Sequence, residues 1–164
     1  MSRKTNLMRL LESRRIPYET HEFSTDIRSA EDAAKVLGVP PCHVFKTLVV
    51  TRQRGCPLLV LIPGDRVLDL KRLARSIRGK RLRMATHKEA ETLTGLEVGG
   101  ISALRLVHKG FVVYADEAIL SLPRVYVSAG HRGINLSLHP EDLLRVANAR
   151  TVQATRAQES EPTV

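Results

Sequence analysis

The chain has 164 residues, a formal charge of +9, a hydrophobic fraction of 43% and an aromatic fraction of 4% with no Trp. The length suits one domain with its own core, and the charge excess favours a polyanionic partner, nucleic acid first. Scarce aromatics argue against base stacking as the main mode of binding, and the absence of a basic helix with bulky aromatic anchors argues against a membrane surface.

In chain order, residues 4–14 read as a helix with Leu7, Leu10 and Leu11 on one stripe, stopped before Pro17. Tyr18 to Phe23 reads as a short strand and Ser24 to Arg28 as a loop. Ser29-Ala30-Glu31-Asp32 starts a helix that buries Ala33, Val36 and Leu37 and ends at Gly38. Val44-Phe45-Lys46-Thr47-Leu48-Val49-Val50 is the most β-prone run, and Pro57 to Ile62 is a second buried strand; the polar turn between them makes a β-hairpin. Asp69 caps an amphipathic helix over residues 70–78 with Leu70, Leu73, Ala74 and Ile77 inward and Gly79 as its stop. Arg81 to Met84 is a short strand, and Thr86-His87-Lys88-Glu89 is a capping box for a helix ending at Gly95. Further strands fall at Phe111 to Tyr114, Arg124 to Val127 and Ile134 to Leu138, and Pro140 opens the last helix.

Strands and helices mix without strict alternation, and no repeat or internal boundary appears. This favours one α+β domain with a mixed, strongly curved sheet flanked by helices, over residues 1–150. From about Thr151 the chain is polar and lacks an apolar stripe, so residues 151–164 are expected to form a disordered tail. The start of the chain lacks the apolar run of a secretory signal, and no segment approaches a membrane span, so a soluble, cytoplasmic protein is expected.

Lys46 is a local contradiction, a cation in the middle of an apolar strand. Such a lysine is either an edge-strand guard against aggregation or a group with a partner or a task. Lys71, Arg75 and Arg78 share one stripe of the 70–78 helix, opposite its leucines, and are candidate phosphate contacts. The glycine-punctuated stretches Val98 to Ser102 and Ser128 to Gly133 indicate unusual backbone angles or close approach of another group; their N–H groups suit an oxyanion or phosphate, although glycines also simply make turns. No P-loop or dinucleotide fingerprint is present. Ser102 and Ser128 lack a nucleophile-elbow context, and Cys42 beside His43 points to the opposite face of an extended chain, which leaves Cys42 as a packing residue. Cys42, Cys56 and the histidines show no metal-ligand spacing, so neither a metal nor a cofactor is expected.

Taken together and in order, the Val44–Val50 strand, Asp69-Leu70-Lys71-Arg72, Thr94 to Ser102 and Val125 to Gly133 resemble the YbaK/EbsC family of trans-editing aminoacyl-tRNA deacylases, related to the editing domain of bacterial prolyl-tRNA synthetases. The resemblance spans roughly residues 4–150. It implies a barrel-like curved sheet and hydrolysis of the ester of a mischarged tRNA, Cys-tRNA(Pro) or Ala-tRNA(Pro). It places the family lysine on Lys46 and gives Gly100, Ile101 and Ser102 catalytic roles. It puts Phe23, Thr47, Gly99, Ser128, Ala129, Gly130 and Asn135 around the aminoacyl end. The implied partners are tRNA and prolyl-tRNA synthetase, with no membrane. Phe23 stands where Cys-type members carry a tyrosine, Asn135 where they carry an aspartate, and the segment between His21 and Lys46 is shorter. A non-catalytic tRNA- or synthetase-associated module with the same fold is the alternative.

Overall fold

The structure is a computed structural model and describes residues 4–107 and 109–158. Capping chemistry sets the helix ends. Helix α1 (Asn6–Ser13) starts where the Thr5 hydroxyl accepts the Met8 N–H, and it buries Leu7, Met8 and Leu11. Helix α2 (Ala30–Leu37) is capped by Ser29 and closed by Gly38 in the left-handed conformation. It buries Ala33 and Ala34, whereas Val36, expected inside, is exposed. Helix α3 (Leu70–Ile77) is capped by Asp69, and its left-handed terminal residue is Arg78, with the Gly79 N–H closing on the Ala74 carbonyl. Helix α4 (His87–Thr94) carries the reciprocal Thr86–Glu89 capping box. Helix α5 (Pro140–Val146) turns Leu143 and Val146 inward. No helix among the described residues is long and apolar enough to cross a membrane.

Strands β2 (Phe45–Arg52) and β3 (Leu58–Pro63) form the expected antiparallel hairpin. Every residue of β3 is buried, because both of its faces are covered. Leu59 and Leu61 join the main core with Phe45, Val49 and the inner face of α1; Leu58, Val60 and Ile62 pack with Leu73 of α3. Strand β5 (Leu82–Met84) pairs antiparallel with β2. On the other side, β6 (Val112–Asp116) runs parallel to β3, and β9 (Arg150–Val152) runs parallel to β6. A separate sheet has the order β1 (Glu19–Glu22), β8 (Ile134–Leu138), β7 (Val125–Ser128), and β4 (Arg66–Leu68) pairs with β10 (Thr155–Ala157).

These strands correct one expectation. The chain is a mixed α+β domain, but among the described residues its strands fall into sheets of five, three and two, with no closed or strongly curled, barrel-like sheet. The physical reason lies where β2 meets β7. A single parallel bridge, Val44↔Tyr126, joins the two larger sheets, and the strands then diverge because the glycine-punctuated loops, not strands, continue the chain beside β2.

The expected disordered tail is also corrected. Residues 150–152 and 155–157 form β9 and β10, and residues 159–164 lie outside the described residues. No amphipathic stripe is needed, because polar groups hold the segment down. The buried Asp116 carboxylate accepts the Ala154 N–H (3.1 Å) and the Thr155 hydroxyl (3.2 Å) on Oδ1, and the Ala118 N–H on Oδ2. Arg66 Nε donates to the Thr155 hydroxyl at 2.7 Å, so its charge reaches the carboxylate through one shared oxygen. Ser76 and Arg72 of α3 bond the main chain at Gln153 and Thr155. Replacing Asp116 by Ala is expected to lower the unfolding free energy by about 2–4 kcal/mol, the range for orphaning several buried donors. Urea denaturation measures it, with loss of hydrogen-exchange protection at residues 150–157 as the local signature.

Candidate active site

A cleft of about 260 Å³ opens along the free edge of β2. The strand supplies Lys46, Thr47, Leu48 and Val49. One end is bounded by Phe23, Ser128 and Asn135, the other by Met84, Ala85, His87 and Ala90. Val98, Gly99 and Ile101 form the facing wall, and Arg28, Ser29 and Glu31 at the start of α2 form a lip. The wedge exists because β5 pairs with β2 only from Val50 onward, while β7 leaves it after Val44.

The cleft is cationic. Lys46 is half-buried, and its ammonium has no hydrogen-bond or ion-pair partner among the described residues. The same holds for the guanidinium of Arg28. Glu31 is the one carboxylate lining the cleft among the described residues, and its Oε1 accepts from Gln158 Nε2 at 3.0 Å. An unpaired cation facing a sheltered cleft is poised for an anionic or polarised ligand.

The facing wall rests on a contact between two loops. A Cβ on Gly100 would stand 2.9 Å from the Arg132 nitrogen and 3.0 Å from the His131 carbonyl carbon, so only glycine lets the loops meet. Arg132 Nε donates to the Val98 carbonyl at 2.9 Å and pairs with Glu97 at 3.5 Å; Arg105 Nη1 donates to the Gly130 carbonyl at 2.8 Å. The Gly100 N–H is already committed to the Glu97 carbonyl at 2.8 Å. The N–H groups of Ile101 and Ser102 have no acceptor among the described residues.

The structure thus brings Lys46, Thr47, Phe23, Gly99, Ile101, Ser128 and Asn135 around one cleft. Gly100, Ser102, Ala129 and Gly130 stand behind the lining. Ser102 is buried with its hydroxyl accepting the Arg105 N–H, the Ala129 N–H bonds the Ile134 carbonyl, and Gly130 packs on Arg105. Lys71, Arg75 and Arg78 are exposed on and just after α3, away from the lining, with side chains unpartnered among the described residues. Asn135 is buried, sits opposite Ser128 and His21 in the three-stranded sheet, and its amide makes no hydrogen bond among the described residues. Sequence reasoning missed Arg28, Glu31, Met84 and His87. Helix-cap and strand signals could not reveal that these residues meet at one edge of β2.

The aminoacyl-tRNA editing domain family model matches residues 24–146. A protein of Enterococcus faecalis named "Putative Cys-tRNA(Pro)/Cys-tRNA(Cys) deacylase EbsC" is 38% identical over 154 residues, 93% of each chain. A proline–tRNA ligase of Sulfurihydrogenibium is 34% identical over 110 residues, which are 67% of this chain and 19% of the ligase. A solved structure described as a "putative trans-editing enzyme for prolyl tRNA synthetase" superposes with a TM-score of 0.77 at 27% identity, covering 95% of this chain and 100% of that one.

Beside the cleft, the polar face of the three-stranded sheet makes a prediction about pH. The Ser137 hydroxyl, fully buried, accepts from Arg124 Nε at 2.8 Å and lies 2.9 Å from His21 Nε2; the His21 ring packs on Tyr126 at 5.3 Å. Burial pushes the His21 pKa below the ordinary imidazole value, Glu19 opposes that shift and Arg124 adds to it. A base depressed in the folded state contributes stability that is complete above the unfolded pKa, near 6.5, and is lost as pH falls through the folded value. Unfolding free energy is therefore expected to decline below about pH 6.5, and less steeply in His21→Gln. Denaturation at stepped pH, with a proton NMR titration of His21, checks this.

Proposed function

The chain belongs to the aminoacyl-tRNA editing domain family, and we propose that it is a trans-editing deacylase, hydrolysing the ester between a wrong amino acid and the terminal ribose of tRNA, with Cys-tRNA(Pro) or Ala-tRNA(Pro) as substrate. The observation that carries this reading is Lys46, an ammonium without a partner among the described residues, held by a ladder strand in a cleft whose facing wall includes Ile101, whose N–H has no acceptor among them.

Lys46 and the Ile101 N–H stabilise the negative charge that develops on the ester carbonyl oxygen. The Ser102 N–H is the next donor on that loop without an acceptor among the described residues, whereas the Gly100 N–H is spent on its own turn, and Gly100 acts by letting the loop close. With an alanyl ester, water adds to the carbonyl carbon, the carbon–oxygen bond to the ribose breaks, and the ribose oxygen leaves with the proton the water gives up. With a cysteinyl ester the substrate thiol, an internal nucleophile favoured by proximity, adds to the carbonyl carbon, the ribose oxygen leaves with the thiol's proton, and water then opens the resulting four-membered thiolactone to free cysteine. Phe23, Thr47, Gly99, Ser128 and Asn135 line the aminoacyl end, backed by Ala129 and Gly130. The apolar wall of Val49, Ala90, Val98 and Ile101 sorts small side chains by size, where one methylene is worth about 1–3 kcal/mol.

Lys71, Arg75 and Arg78 contact tRNA phosphates. The segment shared with a proline–tRNA ligase supports prolyl-tRNA synthetase as the enzyme whose errors are corrected, and the supply of aminoacyl-tRNA places the protein in the cytoplasm. Phe23 and Asn135, lacking a hydroxyl and a charge, are what a non-catalytic tRNA-binding module would also carry.

Lys46→Ala is expected to keep its circular dichroism spectrum and melting profile and to lose about 10²–10³-fold in kcat/KM for deacylation, the scale of one oxyanion donor. Unchanged rates would remove Lys46 from the mechanism, and wild-type inactivity on both mischarged tRNAs would favour the binding module. The Lys71→Ala/Arg75→Ala/Arg78→Ala variant is expected to bind tRNA more weakly. Its plot of log affinity against log salt should be shallower by up to ~0.9 per lost contact, measured by filter binding across a salt series.

A further inference from the structure

Thr47 presents to the cleft a peptide group that no strand pairs. In an antiparallel ladder the N–H and C=O of one residue point the same way, and successive residues alternate. The Val44 carbonyl accepts the Gly64 N–H (2.8 Å) on the β3 side, and the Val49 carbonyl accepts the Ala85 N–H (3.0 Å) on the β5 side. Lys46 and Leu48 therefore turn their peptide groups toward Ile62 and Val60 of β3, and Thr47 turns its own away. The pair Phe45↔Pro63 fits this phase, since proline has no N–H to exchange. β5 begins pairing at Val50, and β7 touches at Val44. Between those points the Thr47 N–H and C=O have no partner among the described residues.

We propose that this open edge binds the aminoacyl group of the substrate as a one-residue antiparallel strand, the Thr47 N–H donating to the ester carbonyl and the Thr47 carbonyl accepting from the α-ammonium. The proposal rests on the editing reading. An aminoacyl ester carries an acceptor and a donor on one residue, and antiparallel pairing is the arrangement in which both bonds go to a single opposed residue. The polarity of β2 then directs the ester oxygen and ribose toward Phe45, Ser128 and Asn135, and the ammonium toward Leu48. Opposed residues share a face, so the amino-acid side chain lies on the face of Phe45, Thr47 and Val49, which packs with Ile101. Main-chain pairing reads the α-amino ester without reading its side chain, and leaves sorting by size to the apolar wall.

Thr47→Pro removes the N–H without removing a ladder bond, since that N–H faces the open side. The folded variant is expected to lose about 10²-fold in kcat/KM on Ala-tRNA(Pro); activity within twofold of wild type overturns the proposal. Independently, wild-type protein is titrated with 3′-alanylamido-3′-deoxyadenosine, whose amide replaces the ester. The Thr47 amide resonance is expected to shift and its hydrogen exchange to slow. A bound analogue that leaves that amide unchanged overturns the proposal, and this measurement decides alone if Thr47→Pro does not fold. Wild-type protein that neither deacylates nor binds the analogue strikes the editing reading itself and takes this proposal with it.

Discussion

The site depends on a missing side chain. Gly100 lets the main chain at His131 and Arg132 come within about 3 Å of where a Cβ would stand. That contact closes the facing wall of the cleft. Arg132 and Arg105 then clamp the loops through main-chain carbonyls, which explains why a wall without secondary structure can hold Ile101 at a fixed place. Against this wall stands β2, whose position is set by its pairing with a fully buried neighbour, β3. A ladder on one side and a clamped loop on the other give the cleft lined by Lys46 two fixed walls, the condition under which a charge can act without first reorganising.

The same geometry resolves the contradiction that Lys46 poses. A lysine in a strand covered on both faces would be a buried, unpaired charge, whereas a lysine on an exposed edge would be a guard against aggregation. The observed situation is neither. β2 is a central strand at Val50 to Arg52 and an open one at Thr47, so Lys46 belongs to a strand whose environment changes along its length. The free edge faces a cleft of about 260 Å³, and a small ligand becomes the natural occupant.

Much of this was legible in the sequence where the cause is local. Ser29, Asp69 and Thr86 mark helix starts because a side chain caps an N–H within three residues, and the β2–β3 hairpin follows from two apolar runs and a polar turn. Lys46 stands out as a cation in an apolar strand, Gly99 and Gly100 as paired glycines between apolar residues, and Ile101 and Asn135 were reached through likeness to a family. What the sequence hid is non-local. Arg28 and His87 reach the cleft only because α2 and α4 pack at opposite ends of one strand. The barrel expectation failed because a bridge of one residue pair, unlike a ladder, leaves no periodic trace. The tail expectation failed because Asp116 and Thr155, distant in sequence, replace the apolar stripe that was sought.

That last segment ties together surfaces that otherwise share nothing. Its main chain is stitched to Ser76 and Arg72 on α3, and its end, Gln158, reaches Glu31 on the lip of the cleft. The helix with the candidate phosphate contacts and the lip of the cleft hang from the same short strap. Tension on α3 is carried along this segment to the lip of the cleft, so the helix and the rim are not mechanically independent.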